Sequence, residues 1–279
     1  RRRSTATPSA CRNAACRWFD RDVTARHWAR DEIAALDPVL DARRITELSF
    51  EARVGSPLLI HAMFSLAFAR QVAVPEIADV LYRDGRGLIM RDPRRRNNET
   101  LVRFGELIAG DDTAVARIRR AHSPYPITND LNLYTLATLA CEPRRIAGGY
   151  FTDREIAAHY EFWRGVGLAM GIEDIPGDPD SLMAFYVDFE ARRYAPSDAG
   201  RAVTRSLADE FAQRWFPIRT AGMARDLFYS LFDERLRDVH GVHPWTTGRL
   251  VVRGGLTSYL RARTILPDGP QRRIVDSFA

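Results

Sequence analysis

From residue 29 to residue 236, apolar side chains return every third or fourth position, a period that admits helices and excludes strands over nearly all of the chain. Segments 29–36, 57–72, 75–83, 98–109, 112–122, 129–142, 153–170, 180–193, 198–214 and 221–236 carry it. Only Gly248-Arg249-Leu250-Val251-Val252-Arg253 alternates in the manner of a strand. At 279 residues the chain lies near the upper limit for one hydrophobic core. The expected fold is therefore all-α, a single large helical domain over residues 19–279. The first 18 residues are rich in Arg, Ser, Thr, Ala and Pro without a period, and read as a flexible tail.

Local signals place the helix boundaries. Ser56-Pro57 offers an N-cap and a first-turn proline to the stretch Leu58 to Ala69, which is apolar around the whole wheel and so reads as a buried helix. That stretch falls well short of the ~20 residues of a membrane span. Thr152-Asp153-Arg154-Glu155 forms a capping box, and Ser197-Asp198 opens a further helix. Breaks near 84–94, 171–181 and 238–248 read as loops inside the domain.

All 41 basic residues are arginine, and the chain holds no lysine. Schiff-base catalysis, a P-loop and a protein kinase each need a lysine, so these three chemistries are excluded. Arginine runs at Arg94–Arg96, Arg119-Arg120 and Arg144-Arg145, with a pI near 9.4, define a nucleic-acid-binding reading. The runs are scattered and 36 acidic residues dilute them to a net +5, so no nucleic-acid partner is expected and coding bias is the plainer account. Cys11, Cys16 and Cys141 are too few for a disulfide framework, and no signal-length apolar stretch follows Arg1-Arg2-Arg3-Ser4-Thr5-Ala6. The expected compartment is the cytoplasm.

Several familiar motifs fail on spacing. Gly165-Val166-Gly167-Leu168-Ala169-Met170-Gly171 lies at a helix end instead of after a strand, so close packing and a C-terminal cap explain it better than a dinucleotide site. Cys11 with Cys16, and His240 with His243, lack partners to complete a zinc site. Glu155 and His159 are expected to form no more than a surface pair. Neither a Gly-x-Ser-x-Gly elbow nor a His-Glu-x-x-His motif occurs.

The stretch Ala116 to Asp130 is the informative one for chemistry. Pro124 disfavours helical geometry at Ser123, which ends the preceding helix and puts His122 in its last turn, with Arg119 on the same face. A histidine there either bonds the final carbonyls or reaches between helices. Arg96 and Thr100 share another helical face, four residues apart. His61 is the lone polar ring of the 57–72 helix, and reads either as a hydrogen-bonded core residue or as a pocket residue.

Together, Ala73-Val74-Pro75-Glu76-Ile77-Ala78, Arg96-x-x-x-Thr100, Arg119-x-x-His122-x-x-Tyr125-x-Ile127-x-Asn129-Asp130, Tyr134-Thr135-Leu136-Ala137, Glu142-Pro143 and Phe162-Trp163-Arg164 through Pro176 resemble the MpaB-type oxygenases. These are relatives of the rubber oxygenase called latex-clearing protein, and the resemblance covers roughly residues 55–215. It implies a helical protein with a buried pocket for one haem b, using dioxygen to cleave a C=C bond of, or hydroxylate, an apolar or prenyl-like small molecule. It implies His122 as the iron ligand, Arg119 as its motif partner, and Arg96 and Thr100 as residues that position haem. The candidate catalytic residues are then Arg96, Thr100, Arg119 and Glu76, with Asp79 or Asp84 as alternatives to Glu76. The candidate haem-binding residues are His122, Arg119, Arg96, Thr100 and His61.

Elementary chemistry adds conditions. His122 must bind as the neutral ring, which calls for an acceptor on its other nitrogen. Arg96 and Arg119 suit haem carboxylates, and helices 57–72, 129–142 and 155–170 are expected to wall a dry cavity. The lysine that latex-clearing enzymes place on the distal side has no counterpart here, and polymer cleavage outside the cell is not expected. A haem or lipid carrier without turnover is the alternative from another class.

Overall fold

Helices form where the three- and four-residue spacing runs, and in four further places, 42–48, 88–91 within the break expected to be a loop, 246–265 and 274–278. The computed structural model describes residues 26–111 and 113–279, and no strand occurs among them. In chain order the helices are α1 (Trp28–Ala35), α2 (Ala42–Leu48), α3 (Pro57–Gln71), α4 (Pro75–Tyr82), α5 (Leu88–Arg91), α6 (Pro93–Ala109), α7 (Ala114–His122) and α8 (Asn129–Ala147). They continue as α9 (Asp153–Met170), α10 (Pro179–Arg193), α11 (Asp198–Trp215), α12 (Ala221–Tyr229), α13 (Glu234–His240), α14 (Thr246–Ile265) and α15 (Ile274–Phe278). One buried apolar cluster, from Ala29 to Phe278, takes side chains from each of them. The 1–18 tail, the expected domain start at residue 19, and Cys11 and Cys16 lie outside the described residues.

Helix α3 is the axis of the core. Ser56 Oγ accepts from the Leu59 N–H, Pro57 occupies the first turn, and α8 and α11 flank the helix. From Leu59 to Gln71 only Ile60 is not fully buried, as the all-round apolar wheel predicts. Helix α9 has the expected capping box and ends on Gly171 at φ +82°, a left-handed cap that glycine adopts without strain. A Cβ on Gly167 would sit 2.6 Å from Leu136 Cδ2, so that glycine is a helix-packing device.

Four expectations need correction. Residues 248–253 are helical, inside α14. Leu250 and Val251 are exposed, and without a neighbouring strand a helix is what lets this backbone satisfy its own hydrogen bonds. Segment 221–236 is two helices, because the Asp233 side chain accepts from the Leu236 N–H and starts α13 afresh. Helix α7 ends at His122 as expected, yet Ser123 keeps helical angles (φ −55°, ψ −28°) and the chain leaves by a Tyr125 N–H to His122 C=O turn. Glu155 and His159 form no surface pair, since both are buried. Glu155 accepts from Ser49 Oγ at 2.7 Å and pairs with Arg53, both from a π-helical turn at Ser49–Val54 that continues α2.

Buried charge is concentrated at one hub. Arg70, near the end of α3, meets Glu142 at 2.9 Å, Glu190 at 3.1 Å and Asp233 at 2.9 Å. Arg145 closes the ring on Glu190 and Asp233, while the hydroxyls of Tyr186 and Tyr194 donate to Glu142 and Glu190. Helices α8 and α10 and the N-cap of α13 are thereby tied to one guanidinium of α3.

At the opposite end, α15 docks on α6 through Gly105, where a Cβ would lie 2.8 Å from the Val275 backbone nitrogen. Backbone cannot rotate away as a side-chain tip can. Gly105→Ala is expected to lower stability by about 1–3 kcal/mol, despite alanine's better helix propensity. Urea unfolding checks this, and an unchanged midpoint would mean that α15 contributes little.

Candidate functional site

Two consecutive helices build the site. Asp92 caps α6 by accepting from the Arg95 N–H at 3.0 Å, and Pro93 fills its first turn, which fixes Arg96 and Thr100 on one face. The Arg96 guanidinium donates to Thr100 Oγ1, and Thr100 in turn donates to the Arg96 carbonyl at 3.1 Å. The guanidinium lies over the Phe68 ring of α3, 4.8 Å from its centroid. It has no carboxylate partner among the described residues. Burial therefore brings its pKa down to about 10, against a weak opposing pull from Glu99.

His122 stands at the end of the next helix. Its ring is half-buried, and Nδ1 is shut off from solvent with no hydrogen-bond partner among the described residues. Burial lowers its pKa, and the neighbouring charge of Arg96 lowers it further, so the ring is neutral at pH 7. The charge of Arg96 reaches His122, a relation between the two helices that sequence spacing alone did not give. The acceptor anticipated for the second ring nitrogen is missing among the described residues, because the α7 end is followed by an exposed turn and not by a packed polar element.

Arg119 is exposed. It lines an open cleft of about 520 Å³ between α7, the end of α6 and α9, with Leu107, Val115, Phe162, Val166 and Ala169. The cleft shares the face of α7 that leads to His122 one turn on.

His61 is wholly buried, with Nδ1 hydrogen-bonded and Nε2 facing a carboxylate outside hydrogen-bond alignment. Trp215 Nε1 donates to Nδ1 at 2.8 Å, and Nε2 lies 3.1 Å from Glu210 Oε2. The placement gives the expected pocket role no support, since Nδ1 is taken by Trp215 and Nε2 faces Glu210 inside the core. Glu210 also accepts from Asn97 at 2.9 Å and from Arg214 at 2.6 Å, so this cluster pins α6 to α11 directly beside Arg96. Glu76 is exposed and pairs with Arg193 at 2.9 Å, while Asp79 and Asp84 are also exposed. Solvated carboxylates of this kind lack the desolvation that poises a base, so the placement lends a catalytic role to none of the three.

Sequence reasoning missed Arg70, Glu142, Glu190 and Glu210. The available signal was a charged residue on an otherwise apolar helix, which has to find a partner when buried.

This arrangement can hold a metal-centred anion. A neutral imidazole with unpartnered nitrogen sits beside a guanidinium that lacks a counter-charge, and both deficits are met by a group presenting a metal ion and a carboxylate. In donor chemistry alone, His122 and Arg96 suit the iron and a carboxylate of a haem; neither lines the α7–α9 cleft. No helix among the described residues is long and apolar enough to cross a membrane. No curated protein matches the chain. The family model described as ER-bound oxygenase mpaB/B'/rubber oxygenase, catalytic domain, matches residues 52–263, well over half of the sequence. The chain therefore belongs to the MpaB and rubber oxygenase catalytic-domain family, and is an oxidoreductase of the oxygenase class.

Proposed function

We propose that the protein is a haem b-dependent oxygenase that uses dioxygen to oxidise an apolar or prenyl-like small molecule, by C=C cleavage or hydroxylation. The observation that carries this reading is the buried, unpartnered Nδ1 of neutral His122 beside the uncompensated Arg96. His122 would ligate the iron. Arg96 would hold a haem carboxylate, oriented by Thr100 Oγ1 and supported by the Phe68 face. Bound haem supplies dioxygen activation at ferrous iron, chemistry that belongs to the cofactor.

The chain's own contribution is electrostatic and geometric. Burial and Arg96 disfavour a proton on His122, so the ring is available as a ligand at pH 7. The Arg96–Thr100 bond spares the guanidinium a search among rotamers. Arginine runs elsewhere are used internally, Arg144 on Asp180 and Arg145 on Glu190, which weakens the nucleic-acid alternative.

Absorption spectra of the haem-loaded protein, oxidised and reduced, test the proposal. A Soret band is expected in the wild type and its loss in His122→Ala. A wild type without the band after loading, or a His122→Ala protein with full haem, refutes it. Oxygen consumption with an isoprenoid substrate separates an oxygenase from a carrier.

Arg96→Met offers a second check. Removing an unpaired half-buried charge is expected to stabilise the haem-free protein by about 1 kcal/mol and to weaken haem retention. Loss of stability without any change in retention would assign Arg96 a purely structural role.

A further inference from the structure

The α7–α9 cleft has a shape and a charge that the haem reading leaves unused. Its α9 wall is Phe162, Gly165, Val166 and Ala169, spaced three and four apart, so the apolar strip runs along the helix for about 10 Å. Phe162 and Leu107 are buried and form its floor. The volume of about 520 Å³ lies in the range of sites for small ligands. An elongated apolar trough suits a flexible hydrocarbon chain better than a compact polar molecule.

Two charged residues line it. Asp111 is paired with Arg117 at 2.6 Å and accepts from Thr113 Oγ1 at 2.7 Å. Arg119 makes no ion pair among the described residues, which leaves one planar, two-pronged cation in the trough. A single guanidinium matches a single carboxylate.

We propose that this cleft binds a single-chain amphiphile with a carboxylate head, the head held by Arg119 and the hydrocarbon laid along α9. The proposal rests on the haem-oxygenase reading only in making this ligand the substrate class, one helical turn from His122. Binding itself needs no haem. It also separates the two arginines, giving the haem carboxylate to Arg96 and the ligand carboxylate to Arg119.

Equilibrium dialysis with tetradecanoate and tetradecanol tests it on the full chain. Wild type is expected to bind the acid about tenfold more tightly than the alcohol. Arg119→Gln should erase that preference while leaving the alcohol unaffected. Gly165→Phe should block both ligands without unfolding, because a Cβ at Gly165 meets nothing within 4 Å and glycine is a poor residue mid-helix. His122→Ala should bind both as wild type does, so a failed haem assignment and a failed cleft assignment give different results. Equal affinity for acid and alcohol, acid binding untouched by Arg119→Gln, or binding that survives Gly165→Phe overturns the proposal. Stoichiometric displacement of tetradecanoate by haemin overturns it too, and returns Arg119 to the haem.

Discussion

Replacing Arg70 with methionine is expected to lower the free energy of unfolding by about 3–5 kcal/mol at pH 7. The side chain is 3% exposed and is the shared partner of Glu142, Glu190 and Asp233. Taking it away leaves carboxylates in a low-dielectric interior with only Arg145 to compensate, and the cost of a stranded charge exceeds the modest net worth of the pairs themselves. Methionine fills much of the same volume, so the loss measures charge and not a cavity. Urea unfolding of the variant reads the effect. A loss under about 1 kcal/mol would show that the carboxylates take up protons or water instead, and that the hub adds little to stability.

The second large effect is a loss of stability in mild acid, well before the carboxylates titrate. His159 and His240 are both buried, and burial pushes each down to about 4. His159 is stacked on Phe50 and meets Phe151 edge-on, with Nε2 unpartnered, while His240 bonds the Ala69 carbonyl and Thr204. In the unfolded chain each ring titrates near 6.5. Between those values the unfolded state binds more protons than the folded one, so stability is complete above pH 6.5 and falls as pH drops toward 4. Each ring contributes about 3 kcal/mol to that fall, about 6 kcal/mol in all. Below that window Glu155 and Asp233, held under the usual carboxylate range by arginines that outweigh their burial, extend the loss. His159→Phe keeps the aromatic packing and removes one titrating ring, so it should lessen the decline between pH 6.5 and 4.5 in urea midpoints. An equal decline in wild type and variant would place the sensitivity elsewhere.

Much of the helical order was legible in the sequence because a helix satisfies its own backbone, and its caps lie within a few residues of the bonds they make. Ser56 before α3, the Thr152–Glu155 box and Gly171 are all local devices, and all act where spacing placed them. The exceptions have local causes too. The strand reading of 248–253 failed because alternation needs a partner strand to mean anything, and the break at Asp233 was hidden because an aspartate also tolerates a helix interior. The π-helical turn at Ser49–Val54 had no periodic signature, and its buried Arg53 is explained by Glu155, 102 residues away.

The candidate site divides in the same way. Position along one helix put His122 three residues after Arg119, and Arg96 four before Thr100. Which of them share surroundings was not readable, since Arg119 turns to the α9 cleft while Arg96 comes close to His122.

By itself, the sequence determined an all-helical chain, its caps, its want of lysine chemistry and the order of the family's motifs, all properties of spacing and residue type. Only the tertiary structure decided that His61 is engaged by Trp215 and Glu210, that Glu76 lies in a surface ion pair, and that Arg96 lacks a counter-charge. Burial and electrostatic pairing arise between helices distant along the chain, so a side chain's charge state and free valence are set by neighbours that only folding brings to it.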